Sequence, residues 1–525
     1  MLFTSLEYVA FLLVVFVVFW STYRPSVFLP LSGSLGVLGV AFLIRHAVVE
    51  GLVESWQIVL AGHLFIGAAL VAVALRRGGR FDRALVLLVA SYIFYMSWNA
   101  TFIVLIVGST VLDFFVGLFL DRTDEPTKRR FLLGLSLLGN LGVLGLFKYF
   151  NFFADAVHDG FAQMGVEVGR PQTNLILPVG ISFYTFQTLS YTIDIYRRQL
   201  KPTTNFLEFA TFVSFFPQLV AGPIVRASDF LPQFEHPRRV SADTASNGVF
   251  LIVRGMAKKI LIADFLALNW IDRVWEDPGA YSSGEVWLAV FGYTWQLYAD
   301  FSGYTDIARG SAKFFGFELP ENFRRPFNST GPIDFWSKWH ITLSTWVRDY
   351  VYIPLGGSKK GAARSYFNLF LAFLAAGVWH GAGWTFVIFG LWHGSTVALN
   401  RMLRDAARGR LEPLEKIRPL VVAFNLSLFV VHWPTFRSPS LDNMLEMYAR
   451  MFAFDFTAMR ASAWVWFVIV GFTLVHFSPQ RWMDQLRRQW VALPAGAQAI
   501  LLVAAAGFLV WVGSAQAAPF IYFQF

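Results

Sequence analysis

Runs of about twenty apolar residues recur along the whole 525-residue chain, and that is the length a helix needs to cross a hydrocarbon core of about 30 Å. They fall near residues 6–20, 27–44, 57–75, 84–98, 100–120 and 132–153. More broken runs, interrupted by Gly, Pro or charge, follow near 175–195, 206–224, 249–271, 285–315, 340–355, 366–399, 418–434, 463–477 and 497–515. The pattern predicts an all-α polytopic membrane protein of roughly 11–13 transmembrane helices, with some middle segments re-entrant or interfacial. Composition agrees, because 56% of the residues are hydrophobic and 15% charged, with a mean hydropathy of +0.52. The 19 Trp, 17 Tyr and 56 Phe exclude disorder.

The net charge of +9 is assigned to loops facing anionic lipid or an anionic ligand rather than nucleic acid. Arg76, Arg77, Arg80 and Arg83 precede the runs at 84–98 and 100–120, and Lys128, Arg129 and Arg130 follow them. Both ends of that hairpin are therefore expected in the cytoplasm and its tip, near Trp98 and Asn99, outside. The loop with Lys359, Lys360 and Arg364, and the one from Arg401 to Arg410, are expected on the cytoplasmic side as well. The first 20 residues carry no Lys or Arg before their apolar stretch and no small-residue cleavage pattern after it, so they read as a retained first span. Without an internal repeat or a long linker, residues 1–525 read as one polytopic domain. The absence of cysteine excludes Cys-ligated zinc, iron–sulfur clusters, disulfides and an acyl-thioester on the protein. A covalent intermediate would need Ser, Thr, Tyr, His or a carboxylate.

Two of the nine histidines stand in unusual surroundings. In FWSKWHITLSTWVRDYVYIPLGG (335–357), Trp336, Trp339, His340, Leu343, Trp346, Val347 and Tyr350 recur at helical spacing, which suits an interfacial helix. His340 is then either a polar contact in an aromatic anchor or a catalytic, ligand-lining group. In VWHGAGWTFVIFGLWHG (378–394), His380 and His393 each lie between Trp and Gly in an apolar stretch. A helix from Tyr366 to His380 would rise about 21 Å and carry His380 past the middle of the membrane, where an ionisable group marks function. Continuing that helix puts His393 on nearly the opposite face, which favours a structural role for it. No HxxxH or HExxH pattern supports a metal, so general-base catalysis and proton relay are the chemistries a deep imidazole offers. QLYADFSGYTDIARG (296–310) either lines a polar cavity, or uses its carboxylates to pair with Arg309 or to cap a broken helix, and its Ser302 lacks the GxSxG frame of a nucleophile. Arg324 and Arg325 in ENFRRPF suit a phosphate or a cytoplasmic basic loop.

Taken in order, LPVGISFYTFQTLSYTIDIYR (177–197), FFPQLVAGPIVR (215–226), QLYADFSGYTDIA (296–308), ENFRRPFN (321–328), FWSKWHITLSTWVRDYVYIPLGG (335–357) and NLFLAFLAAGVWHGAGWTFVIFGLWHG (368–394) resemble the membrane-bound O-acyltransferase family. More narrowly they resemble its bacterial branch that O-acetylates polysaccharides such as alginate. The resemblance covers about Ser91 to Trp392. It implies N-terminal helices over 1–90, a catalytic core over 91–400 and C-terminal helices over 401–525, with a funnel that narrows to a central pore. It also implies that His380 is the essential histidine and His340 the second polar position. Gln218 stands where the alginate branch carries His, and His432 and Pro434 stand where a more apolar sequence is usual.

The same resemblance implies an acyltransferase of the bacterial inner membrane that draws acetyl groups from cytoplasmic acetyl-CoA and passes them to a periplasmic or extracellular partner protein acting on polysaccharide. The donor's phosphates are expected near Arg324, Arg325, Lys359 or Lys360. His380 would be general base, while His340 would orient the thioester or stabilise the oxyanion. The C-terminal FIYFQF (520–525) resembles an FxYxxF pattern whose Tyr relays the acyl group, which points to Tyr522. An aromatic anchor at the outer interface is the plainer reading of the same residues. Peptidoglycan O-acetylation, a polysaccharide or lipid-precursor transporter or flippase, and a non-catalytic scaffold are the alternatives.

Overall fold

The computed structural model of the protein describes residues 6–21 and 80–513, apart from 221, 237, 239, 408–415 and 458. Among these residues the chain forms helices and no strand, and its extended pairing is one isolated bridge between Phe323 and Trp339. The longer helices are α1 (Leu6–Ser21), α2 (Arg80–Met96), α3 (Ile103–Arg122), α4 (Pro126–Leu144), α5 (Phe150–Gln163), α6 (Ile181–Tyr196), α7 (Phe206–Ser214), α8 (Ala242–Ala257) and α9 (Ser283–Phe314). Then come α10 (Ala362–His380), α11 (Trp384–Ala407), α12 (Arg418–Arg437), α13 (Leu441–Met451), α14 (Ala463–Phe477), α15 (Gln480–Ala492) and α16 (Ala495–Gly513).

By length and apolarity Ala100–Arg122, Pro126–Gln163, Ala362–His380 and Arg418–Arg437 suffice to cross a membrane alone. The pair α14 and α15 passes only together and bends by 92° between them. Shorter apolar helices include Phe11–Trp20, Arg83–Met96, Phe206–Leu219 and Ala495–Leu509. The runs expected at 27–44 and 57–75 lie outside the described residues. Three expected runs are not single helices: 206–224 is divided at Phe215 and leaves its helix after Leu219, 340–355 is divided between a short helix, a wide π turn and loops, and 366–399 breaks at Gly381–Gly383. Glycine and charge interrupt these runs, so apolarity alone overstates their continuity.

The chain groups into two compact units, one comprising 1–147, 174–252 and 307–320, the other 148–173, 253–306 and 321–525. In the first, α3, α4 and α6 pack around a buried carboxylate. Asp113 accepts hydrogen bonds from Asn140 at 2.7 Å, Thr192 at 2.8 Å and the Ser136 hydroxyl. These hydrogen bonds satisfy a carboxyl group that would otherwise be costly to bury among apolar helices. Gly117 allows the close approach, because a methyl group there would stand 2.9 Å from the Tyr191 ring.

In the second unit Asp300 and Asp306 are held in ion pairs. Asp306 is held by Arg254 at 2.5 Å and Lys258 at 2.7 Å, and Lys259 bridges Asp264 at 2.6 Å and Asp300 at 2.8 Å. Basic residues of α8 and of the π turn after it (Lys258–Asp264) thus neutralise these carboxylates. Beyond the 92° bend, no residue of α15 is buried. Trp482, Leu486 and Trp490 fall on one face of it, with Arg481, Arg487 and Arg488 beside them. An amphipathic cationic helix at right angles to a strongly apolar one suits the membrane plane.

Candidate active site

Everything that gathers around His380 belongs to the second unit. Helices α10 and α11 form an antiparallel hairpin whose contact surface is made of glycines. A methyl group on Gly377 would lie 2.6 Å from the Cα of Gly390, and one on Gly390 would lie 2.9 Å from the Cα of Leu374. Backbones this close leave no room for a side chain. The hairpin turns at Gly381–Gly383, so His380 is the last residue of α10, buried at 3% exposure. Eighteen steps from Ala362 carry it about 27 Å along the helix, beyond the depth that a start at Tyr366 implied.

The His380 ring meets Phe389 edge-on at 5.5 Å and Phe436 at 5.3 Å. It lines a cavity of about 10 Å³, close to the room of one water, together with His393 and a wall of aromatic rings that includes Trp336 and Trp433. The backbone just below it is clamped. Lys148 donates to the carbonyls of Trp379 at 2.7 Å and His380 at 2.9 Å, and the Tyr149 hydroxyl donates to that of Val378 at 2.9 Å.

His340 is fully buried and takes the left-handed backbone conformation, with φ 43°, which costs a non-glycine residue energy and tends to mark functional sites. The turn is held by Asn322. Its side-chain oxygen accepts from the Thr342 N–H at 3.1 Å and the Thr342 hydroxyl at 3.0 Å, and the His340 Nδ1 lies 3.2 Å from it. A backbone N–H can only donate, so the Asn322 atom facing it is the oxygen and His340 Nδ1 carries the proton. A neutral His340 therefore presents Nε2 as a hydrogen-bond acceptor. That suits holding a hydroxyl, whereas donating to an oxyanion would require the imidazolium. The Trp379 ring lies near both histidines, its centroid 6.3 Å from that of His340 and 5.1 Å from that of His380. His340 and Lys148 are electrostatic neighbours of His380.

The structure brings two further histidines to this place. His393 lines the same cavity, not the opposite face, because the break at Gly381–Gly383 reverses the chain and resets the helical phase. His432 on α12 lies with its ring 4.2 Å from that of His393. Lys148, Asn322 and His432 had no role in the sequence reading. For Lys148 a signal existed: a lone lysine in the apolar run 132–153. Asn322 had none, since its function depends on a backbone turn 18 to 20 residues away.

The basic residues proposed for the donor are spread out. Arg324 is exposed and pairs with Glu321 at 2.8 Å, and Arg325 donates to the Ser478 carbonyl. Lys359 and Lys360 are exposed ahead of α10, at the end opposite His380. Ser302 accepts from Lys258 at 3.1 Å within the buried ion network. Tyr522 lies outside the described residues. Among the described residues no group of three or more His, Asp or Glu is arranged to hold a metal ion.

Comparison with known proteins adds a separate line. The family model for the membrane-bound O-acyltransferase family matches residues 91–436. The chain is 37% identical over 478 residues to a Pseudomonas putida protein described as "Probable alginate O-acetylase AlgI", covering 85% of this chain and 95% of that one. A Helicobacter pylori peptidoglycan O-acetyltransferase is 36% identical over 387 residues, covering 69% and 72%. A Bacillus subtilis teichoic acid D-alanyltransferase is 33% identical over 230 residues, covering 42% and 58%.

Proposed function

The chain belongs to the membrane-bound O-acyltransferase family and is a multi-pass membrane acyltransferase; from that premise we propose that it transfers acetyl groups from cytoplasmic acetyl-CoA across the bacterial inner membrane to O-acetylate an exopolysaccharide. The observation that carries the reading is that His340 and His380, both buried, each have a ring close to that of Trp379, inside the matched region. Relatives that acylate alginate, peptidoglycan and teichoic acid share the theme of a surface polymer as acceptor. Identity and coverage favour an alginate-like polymer, with a cell-wall polymer second. A transporter or flippase loses its ground to the enzyme family.

In this reading His380 takes the proton of the acceptor hydroxyl as its oxygen attacks the thioester carbonyl. The C–S bond breaks, and the proton returns from the imidazolium to the CoA thiolate. His340, through Nε2, holds the hydroxyl in line. The donor enters from the cytoplasmic side, with its phosphates near Arg324, Arg325, Lys359 or Lys360. Tyr522 is the proposed intermediate acceptor, passing the acetyl group to a periplasmic or extracellular partner that modifies the polysaccharide.

His380→Ala is expected to abolish polymer acetylation while the protein stays folded and membrane-inserted. Near-normal acetylation by that variant would remove His380 from the mechanism. For the relay, the intact mass of the C-terminal peptide after exposure to acetyl-CoA should rise by one acetyl group, and Tyr522→Phe should lose both the adduct and polymer acetylation. A working Tyr522→Phe protein rules the relay out.

A further inference from the structure

Helix α10 stops abruptly. Gly381 is extended, so the last carbonyls of the helix have no partner further along it, and they end among aromatic side chains where water is scarce. Such carbonyls must be satisfied from elsewhere or the helix end frays. Three consecutive carbonyls, those of Val378, Trp379 and His380, are taken up by two consecutive residues of another helix, Tyr149 and Lys148. Neighbours in a regular α-helix point about 100° apart and do not ordinarily serve one target. Here both close the wide π-helical turn Gly145–Tyr149, and π turns of this kind recur at functional sites. The ammonium also sits at the negative end of the α10 dipole, where a cation is favoured.

A lysine in an apolar span is costly, and a helix end alone could be closed by a glycine motif. What the Lys148 clamp adds is placement of the backbone that carries the His380 ring. We infer that Lys148 is a positioning residue for the general base: its two hydrogen bonds, supported by Tyr149, hold the C-terminus of α10 so that His380 faces the reacting hydroxyl. The inference rests on the acyl-transfer reading of His380. Loss of the clamp leaves the donor site intact and displaces the base, so it acts on turnover and not on donor binding.

The test uses the full-length protein in inverted inner-membrane vesicles from its own host, which retain the partner protein and the polymer, with acetyl-CoA as donor, reading release of the CoA thiol. Wild type, His380→Ala, Lys148→Met, Lys148→Arg and Tyr149→Phe are compared. Lys148→Met should lower kcat about tenfold to a hundredfold with KM for acetyl-CoA little changed. Lys148→Arg, which can still donate to two carbonyls, should recover part of the loss. A Lys148→Met protein with wild-type kcat, or with a raised KM and unchanged kcat, overturns the inference. Should Lys148→Met not fold, Tyr149→Phe decides: removal of one hydroxyl should lower kcat about threefold at constant KM, and an unchanged kcat overturns the clamp. If wild type itself releases no thiol, the acyl-transfer reading fails and the inference falls with it. If wild type is active and His380→Ala is inactive, the clamp is judged on its own variants; an active His380→Ala removes the base and overturns the clamp with it.

Discussion

Asn322 shows how one side chain can decide what another does. By accepting from the Thr342 N–H it fixes its own orientation, and by facing His340 Nδ1 it fixes the tautomer of a ring held in a strained turn. Asn322→Asp keeps an acceptor at both places and should retain most activity. Asn322→Leu removes it and should cost about tenfold or more in kcat, within the range that acid–base groups contribute. Wild-type turnover by the leucine variant would show that the tautomer is immaterial. At the aqueous edge, Asp455 accepts from the Ser283 hydroxyl at 2.7 Å and its backbone N–H at 2.8 Å, and pairs with Arg450. The Ser283 hydroxyl chiefly, with that N–H and Arg450, holds the Asp455 carboxyl down to about 2. Because the folded state lowers this value, its stabilisation is complete above the ordinary carboxylate value of about 4 and fades as pH falls toward 2. Asp455→Ala should therefore melt below wild type at pH 7, with a gap that narrows between pH 4 and 2. A gap independent of pH would mean that the carboxylate charge is not what matters.

At the level of elements, the site exists because a run that looks continuous is a hairpin. The Gly-rich break at 381–383 places His380 at a helix end, and the Gly377–Gly390 contact lets α11 return close enough to bring His393 to the same cavity. Gly390→Ala puts a methyl group 2.9 Å from the Cα of Leu374, an overpacking worth about 1–3 kcal/mol. It should lower thermal stability in detergent and transfer activity together. Gly383→Ala meets nothing nearer than 3.7 Å and should be tolerated. Equal behaviour of the two variants would count against tight packing as the role of Gly390. The aromatic and histidine motifs of this hairpin were legible in the sequence. Its phase was not, because a periodicity argument carries a face across a break that only the folded chain reveals.

For the molecule as a whole, the absence of cysteine makes topology directly measurable, since a single introduced thiol has no background. Positive charge predicts that Lys359→Cys reacts with a membrane-impermeant maleimide only from the cytoplasmic face, and Thr101→Cys only from outside. Labelling of both from one face would overturn the orientation and the direction of acetyl transfer with it. The sequence by itself determined the solvent, the all-α class and the family, because apolar run length and ordered motifs are local properties of the chain. It also pointed to His340 and His380 through the cost of polar groups among apolar neighbours. The tertiary structure alone decided which polar groups meet: Lys148 at the end of α10, Asn322 beneath His340, His393 and His432 beside the cavity, and Asp300 and Asp306 in ion pairs with basic residues around α8. These are contacts between residues far apart in the chain, and their geometry depends on a left-handed turn, a π turn and a helix break that spacing does not encode.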